Sequence, residues 1–127
     1  MKSKLEIYAL AVCFAAVVCL VISAGMAGYS VFEIVAPELT MSSYKYDRYQ
    51  TNKAYWQSIT SYSKSKKSET KPNEEELRKR RQKAFVVAVK SEKREGVQLL
   101  IRCLIFILAS GITLLIHWKI AQKSRTA

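Results

Sequence analysis

Hydrophobic residues are concentrated in two blocks near the ends of the chain, and the stretch between them is polar and charged. The first block, 7–32, gives about 26 residues without a charge, or about 39 Å of helix. The second block, 97–118, is shorter and carries one charge, Arg102. Because about 20 apolar residues span a hydrocarbon core of about 30 Å, each block predicts a transmembrane helix.

The pattern therefore predicts an all-α integral membrane protein, a two-span antiparallel helical hairpin whose second span is continuous with a long amphipathic, basic helix. The expected parts are a basic N-terminus (1–6), transmembrane helix 1 (7–36), a polar, tyrosine-rich connecting segment and linker (37–72), a charged helix (73–96), transmembrane helix 2 (97–118) and a basic C-terminal tail (119–127). Pro37 is the expected stop of the first span. The alternative, a cleaved signal peptide, has a basic start and small residues at Gly25 and Ala27, but the apolar run continues to Phe32.

The connecting segment contains two further helix signals. A short helix is predicted around 52–61, within a tyrosine-rich stretch (42–62) that we expect to lie along the membrane interface. The alternative for this stretch is a base-stacking or partner-binding surface. Asn73 before Glu74, Glu75 and Glu76 predicts a capped helix start, with acids at the positive end of the helix dipole. Favourable pairs four residues apart are expected at Glu74–Arg78, Glu75–Lys79 and Glu76–Arg80.

Small residues recur along the first span and predict a helix-packing face, because close backbone approach holds helices together in lipid. The predicted face consists of Ala11, Ala15, Cys19, Ser23, Ala24, Ala27 and Gly28 on the first span and Ser110 and Gly111 on the second. This face could serve the hairpin, a homo-oligomer or a larger partner.

One polar pair is predicted inside the hairpin. In an antiparallel arrangement Glu33, near the exit of the first span, and Arg102, near the entry of the second, lie at similar depth. Pairing would offset part of the cost of a charge in the membrane, about 2–3 kcal/mol toward its centre. The alternative is that Arg102 extends to the headgroups on its long stem while Glu33 sits in water.

The formal net charge of +11 is concentrated between the spans, where fifteen of the 21 lysines and arginines lie. The basic patch consists of Arg78, Lys79, Arg80, Arg81 and Lys83. We expect it to face water or anionic lipid headgroups rather than nucleic acid, since its spacing wraps around the helix and three glutamates precede it. His117 and Trp118, followed by Lys119, are predicted interfacial anchors.

The charge distribution predicts a multi-pass protein of the cell membrane (inner or plasma) with the connecting segment in the cytoplasm. The opposite orientation stays open, because both termini are basic and the segment is about sixty residues long, the limit for this rule.

No catalytic, cofactor or metal-binding pattern is evident, and the three cysteines lie within the apolar blocks. We therefore expect no enzyme. The leading hypothesis is an accessory or scaffolding membrane protein that acts through helix packing and through contact with a protein partner, a homo-oligomer or lipid. The alternatives are a homo-oligomeric pore or transport element, lined by Ser23, Arg102 and Thr113, and a membrane-tethered sensor.

Overall fold

The computed structural model describes residues 3–63 and 70–126, and the regular structure within these ranges is helical. The helices are α1 (Lys4–Val35), α2 (Pro37–Thr40), α3 (Ser43–Arg48), α4 (Asn52–Tyr62) and α5 (Glu74–Thr126). Residues 64–69, the core of the predicted linker, lie outside the described ranges.

Proline sets the end of the first long helix. α1 ends at Val35, and Pro37 then occupies the first turn of α2. Proline is accommodated there because the N–H groups of a first turn have no partner inside the helix. The predicted stop at Pro37 is therefore confirmed.

Side-chain caps begin α3 and α4. The backbone N–H of Lys45 donates to Ser42 Oγ at 3.4 Å, and that of Ala54 donates to Thr51 Oγ1 at 3.1 Å. Each bond satisfies an N–H that the first turn leaves without a helical acceptor. α4 confirms the short helix predicted around 52–61. α3 was not predicted.

α5 begins at the predicted place and continues without interruption. The N–H of Glu76 donates to Asn73 Oδ1 at 2.8 Å, the expected cap. The helix then runs through the basic patch, Gly96 and the second apolar block as far as Thr126. The expectation of one long helix is confirmed.

The chain divides into two compact units. The paired-helix unit contains residues 1–31 and 96–127, and the connecting unit contains residues 32–95. Most of α1 and the C-terminal part of α5 belong to the paired-helix unit, while α2, α3, α4 and the beginning of α5 belong to the connecting unit.

α1 and α5 are each long and apolar enough to cross a membrane. Only 22% of the most apolar window of α1 and 6% of that of α5 are buried within the protein. A core helix of a soluble protein is mostly buried. α1 and α5 are much more exposed than such a core helix.

Candidate functional site

In the paired-helix unit, α1 and α5 run antiparallel. Glu6, near the start of α1, accepts a hydrogen bond from Arg125 Nε at 2.7 Å. Further along α1, the ring of Tyr8 lies 6.0 Å from that of His117. Next, Cys13 Sγ contacts the carbonyl oxygen of Leu114 at 3.9 Å. As the residue number rises along α1, the number of the contacting residue on α5 falls, as expected of antiparallel helices.

Small side chains line the side of α1 that is buried in this unit. The buried line consists of Ala9, Cys13, Ala16, Ser23 and Ser30. Its members are separated by three, four or seven residues, the repeat by which one helix keeps a seam against another. Cys103 and Ala121 are the corresponding buried residues of α5. Small side chains allow the two backbones to approach closely.

The predicted packing face overlaps this line in part. Ser23 is buried, and Ala27, Ser110 and Gly111 are half-buried, whereas the remaining members are exposed: Ala11, Ala15, Cys19, Ala24 and Gly28. A Cβ added at Gly28 or Gly111 would meet nothing within 4 Å, so neither glycine is needed for a close approach. The exposed members stay a predicted surface for another helix.

Glu33 and Arg102, the predicted polar pair, belong to different units. Glu33 is half-buried near the end of α1, and its Oε2 atom is buried without a hydrogen-bond partner among the described residues. Arg102 is an exposed residue of α5. Their pairing stays a prediction.

The predicted anchors differ in exposure. The Nδ1 atom of His117 lies 2.9 Å from the carbonyl oxygen of Thr113, one turn earlier in α5, and the residue is half-buried. Trp118 is 49% exposed. An exposed indole at the end of an apolar stretch is the arrangement typical of an interfacial anchor.

An ion pair joins α3 to α5 in the connecting unit. Lys45 Nζ donates to Glu92 Oε2 at 2.9 Å. The Glu92 side chain is only 11% exposed, whereas that of Lys45 is 34% exposed. The hydrogen bond to Glu92 raises the pKa of Lys45 above its ordinary value, and partial burial opposes this rise. Lys45 therefore supplies the charge that a buried carboxylate requires.

Aromatic side chains pack beside this ion pair. Tyr46 of α3 and Tyr49, the residue that follows α3, place their rings 6.3 and 5.7 Å from that of Phe85 on α5, and Tyr49 lies 6.2 Å from Tyr55 of α4. These tyrosines therefore join three helices of the unit. Lys45 and Tyr46 precede Tyr49 by four and three residues, the spacing of a helical repeat, and this spacing is the signal in the sequence that indicates α3.

The members of the basic patch have different partners. Lys79 pairs with Glu75 at 3.5 Å, and Arg80 pairs with Glu76 at 2.7 Å, as predicted. Arg81 is half-buried and donates to the carbonyl oxygen of Gln50. Arg78 and Lys83 are exposed. Hence only part of the predicted patch is an open cationic surface.

Glu74 contacts residues other than the expected Arg78. Its Oε1 atom lies 3.3 Å from Lys71 Nζ, and Asn52 Nδ2 donates to its Oε2 at 2.8 Å. The hydrogen bond from Asn52, with help from Lys71, lowers the pKa of Glu74. These contacts tie the start of α5 to α4.

Two shallow grooves of about 470 Å³ flank Val87 of α5. One lies between α5 and α3, beside Lys45 and Tyr49, and the other lies on the outer side of α5. Among the residues that the structure describes, no cluster of three histidine, cysteine or acidic side chains has the arrangement of a metal site. The surface thus offers grooves and cations for binding.

Comparison with known proteins adds no relative: no protein-family model, curated protein or solved structure matches the chain.

Proposed function

We propose that this chain is a small, non-enzymatic integral membrane protein with an accessory or scaffolding role. In this proposal α1 and the C-terminal part of α5 form a two-span hairpin in the cell membrane. The basic beginning of α5 contacts a protein partner or anionic lipid.

The observation that carries the proposal is the apolar outer surface of the paired-helix unit. Phe14 and Val21 of α1 are 73% and 68% exposed, and Leu108 and Leu115 of α5 are 66% and 63% exposed. Apolar surface left in water costs about 25 cal/mol per Å², so helices that are apolar on every side require another medium. Hydrocarbon provides that medium, and it imposes no cost on an outward-facing leucine.

Contacts at the beginning of α1 favour a retained span over a cleaved signal peptide. Glu6, Tyr8 and Cys13 each meet a residue of α5, and all three precede the candidate cleavage site near Ala27. A signal peptide needs no matching partner helix. These contacts support two spans that are held together in the mature protein.

Hydroxyl groups of the spans support a packing role over a conducting one. Ser30 Oγ donates to the carbonyl oxygen of Ala27 at 2.7 Å, and Thr113 Oγ1 donates to that of Ala109 at 2.9 Å. A hydroxyl bonded to its own helix in this way has used its only donor, so it offers a passing solute nothing but the lone pairs of its oxygen. The accessory role is therefore preferred to a pore.

Membrane insertion and orientation test the proposal directly. The protein should remain with membranes after alkaline carbonate extraction, and a V21R/I22R variant should be released in part.

Cysteines introduced at Lys53 and Gln122, after replacement of the native cysteines, should react from opposite sides of the membrane. Cytoplasmic labelling at position 53 would support the cytoplasmic connecting segment.

Partner association tests the accessory role. Tagged protein, solubilised in mild detergent, should co-purify with one recurrent protein partner. A strict monomer that brings down no protein and conducts ions in vesicles would overturn the accessory role.

A further inference from the structure

The beginning of α5 has two different faces within the connecting unit. Leu77, Ala88 and Glu92 are buried, at 1%, 7% and 8% exposure. On the opposite side, exposed residues recur every three or four positions and form what we call the lysine stripe: Lys79, Lys83, Val86, Lys90 and Lys93. The stripe covers fourteen residue steps, or about 21 Å of helix.

The cations of the stripe remain available to a binding partner. Lys79 makes an ion pair with Glu75, but both side chains are more than 60% exposed, and such solvent-exposed pairs contribute little to stability. Within the described parts of the chain, Lys83, Lys90 and Lys93 make no ion pair. Arg81 instead turns inward toward Gln50 and does not belong to this surface.

A hollow lies at the centre of the stripe. It is the outer groove of about 470 Å³, lined by Gln82, Lys83, Val86 and Val87. Residues 82 and 86 form one ridge along the helix, and residues 83 and 87 form a neighbouring, parallel ridge. The groove between two such ridges accepts a ridge of another helix. Val86 and Val87 are 52% and 66% exposed, so an inserted apolar side chain would cover apolar surface.

We propose that the lysine stripe binds an acidic amphipathic helix of a partner protein. An apolar side chain of that helix fills the hollow, and its carboxylates lie opposite Lys83 and Lys90. The inference rests on the proposed accessory role and names the chemistry of its partner.

Charge and shape distinguish this occupant from two others. A second copy in the same bilayer has α5 running in the same direction, so that lysine would face lysine, which is unfavourable. An anionic bilayer complements the lysines but presents no helical ridge to the hollow. An acidic helix complements both features.

Peptide binding to the full chain tests the inference. The protein is placed in nanodiscs of phosphatidylcholine, which carries no net charge. The probe is a labelled, 21-residue helical peptide with a leucine seam flanked by glutamates, and a second peptide has glutamine in place of glutamate. Fluorescence anisotropy should show the acidic peptide binding at least about tenfold more tightly, with affinity falling as salt rises.

Matched variants locate the site. K83E/K90E should weaken binding at least about tenfold, and V86S should weaken it by a smaller factor. K53E/K71E makes the same change in net charge at exposed positions, and both residues lie outside α5. This control should stay within about twofold of the unaltered protein.

Several outcomes would overturn the inference. Equal losses in K83E/K90E and K53E/K71E would show a response to net charge alone. Binding of phosphatidylserine vesicles through Lys83 and Lys90, without binding of the acidic peptide, would assign the stripe to a lipid surface. Release of the unaltered protein by carbonate extraction is measured separately and would count against the proposed membrane role instead.

Discussion

The paired-helix unit and the connecting unit differ in the size of the apolar residues that they bury. In the paired-helix unit, alanine, serine and cysteine line the buried side, and large residues such as Val21 and Leu108 face outward. In the connecting unit, Leu77 is 1% exposed while the lysine stripe faces outward. Leucine is therefore buried at position 77 and exposed at position 108 of the same helix.

The difference shows how the surrounding medium determines which side chain is buried. In water, burying a leucine is favourable by about 1.5–3 kcal/mol, so leucine packs inward and lysine stays outside. In lipid, leucine gains nothing by turning inward, and the closest helix contact falls to small residues. The contrast supports a membrane around one unit and water around the other.

The largest effect is expected from removing the buried leucine of the connecting unit. Leu77→Ala should lower the free energy of unfolding by about 2–5 kcal/mol, because it leaves a cavity at a position that is only 1% exposed. Urea unfolding followed by Trp56 fluorescence, with Trp118 replaced by Phe, measures this. Leu39→Ala is the control, since Leu39 is 82% exposed. Equal losses in both variants would contradict the buried position of Leu77.

An enlarged side chain on the buried line should have the next largest effect. Ala16→Leu should destabilise the contact of α1 with α5 by about 1–3 kcal/mol, because Ala16 is 6% exposed and has no room for a larger group. Energy transfer between dyes on the two helices, followed during titration with SDS, measures the contact. Ala15→Leu, at an exposed position of the predicted packing face, should change it little. A larger effect of Ala15→Leu would instead favour that predicted face.

Loss of the cation beside Glu92 should have a smaller effect. Lys45→Met leaves a largely buried carboxylate without its partner and should lower the free energy of unfolding by about 1 kcal/mol. This value is at the low end for an unsatisfied buried group, because a third of the Lys45 side chain is exposed. Urea unfolding of Lys45→Met, Glu92→Gln and the double variant gives the coupling between the two residues. Lys53→Met controls for loss of charge. Additive single effects would show that the pair contributes no coupling energy.

The smallest expected effect is a loss of stability at the start of α5 in acid. Because the folded protein lowers the pKa of Glu74 below its ordinary value of 4.5, this contribution to stability is fully present above pH 4.5. It is lost as pH falls through the lowered pKa. The protection of backbone amides against hydrogen exchange at the start of α5, corrected for the intrinsic pH dependence of exchange, should therefore fall in that acidic range. Glu74→Gln and Asn52→Ala should both reduce this pH dependence, and an unchanged profile in Asn52→Ala would contradict the assigned cause.

Local signals made much of the helical structure predictable. Asn73 with Glu76 predicted the start of α5, and Pro37 predicted the end of α1, because caps and proline act within one turn. The ion pairs of Glu75 and Glu76 were predictable for the same reason. None of these inferences needs knowledge of a distant residue.

Contacts between distant residues were not predictable from the same signals. α1 is apolar on every side, so hydropathy did not indicate which line of small residues meets α5, and the predicted face shared mainly Ser23 and Ala27 with the buried side. The partners of Lys45 and Arg81 lie 47 and 31 residues away. Their pairing depends on how α3 and the segment before α4 pack against α5.

The contact of Glu6 with Arg125 also determines when during synthesis the two helices can pair along their full length. The two residues are 119 positions apart, so the ribosome must make the whole intervening chain before they can meet. At about 5–20 residues per second, α1 waits about 6–24 s for its partner. During that interval its buried line is open to other helices, which makes synthesis the period when the hairpin is most exposed to mispairing or to capture by a chaperone.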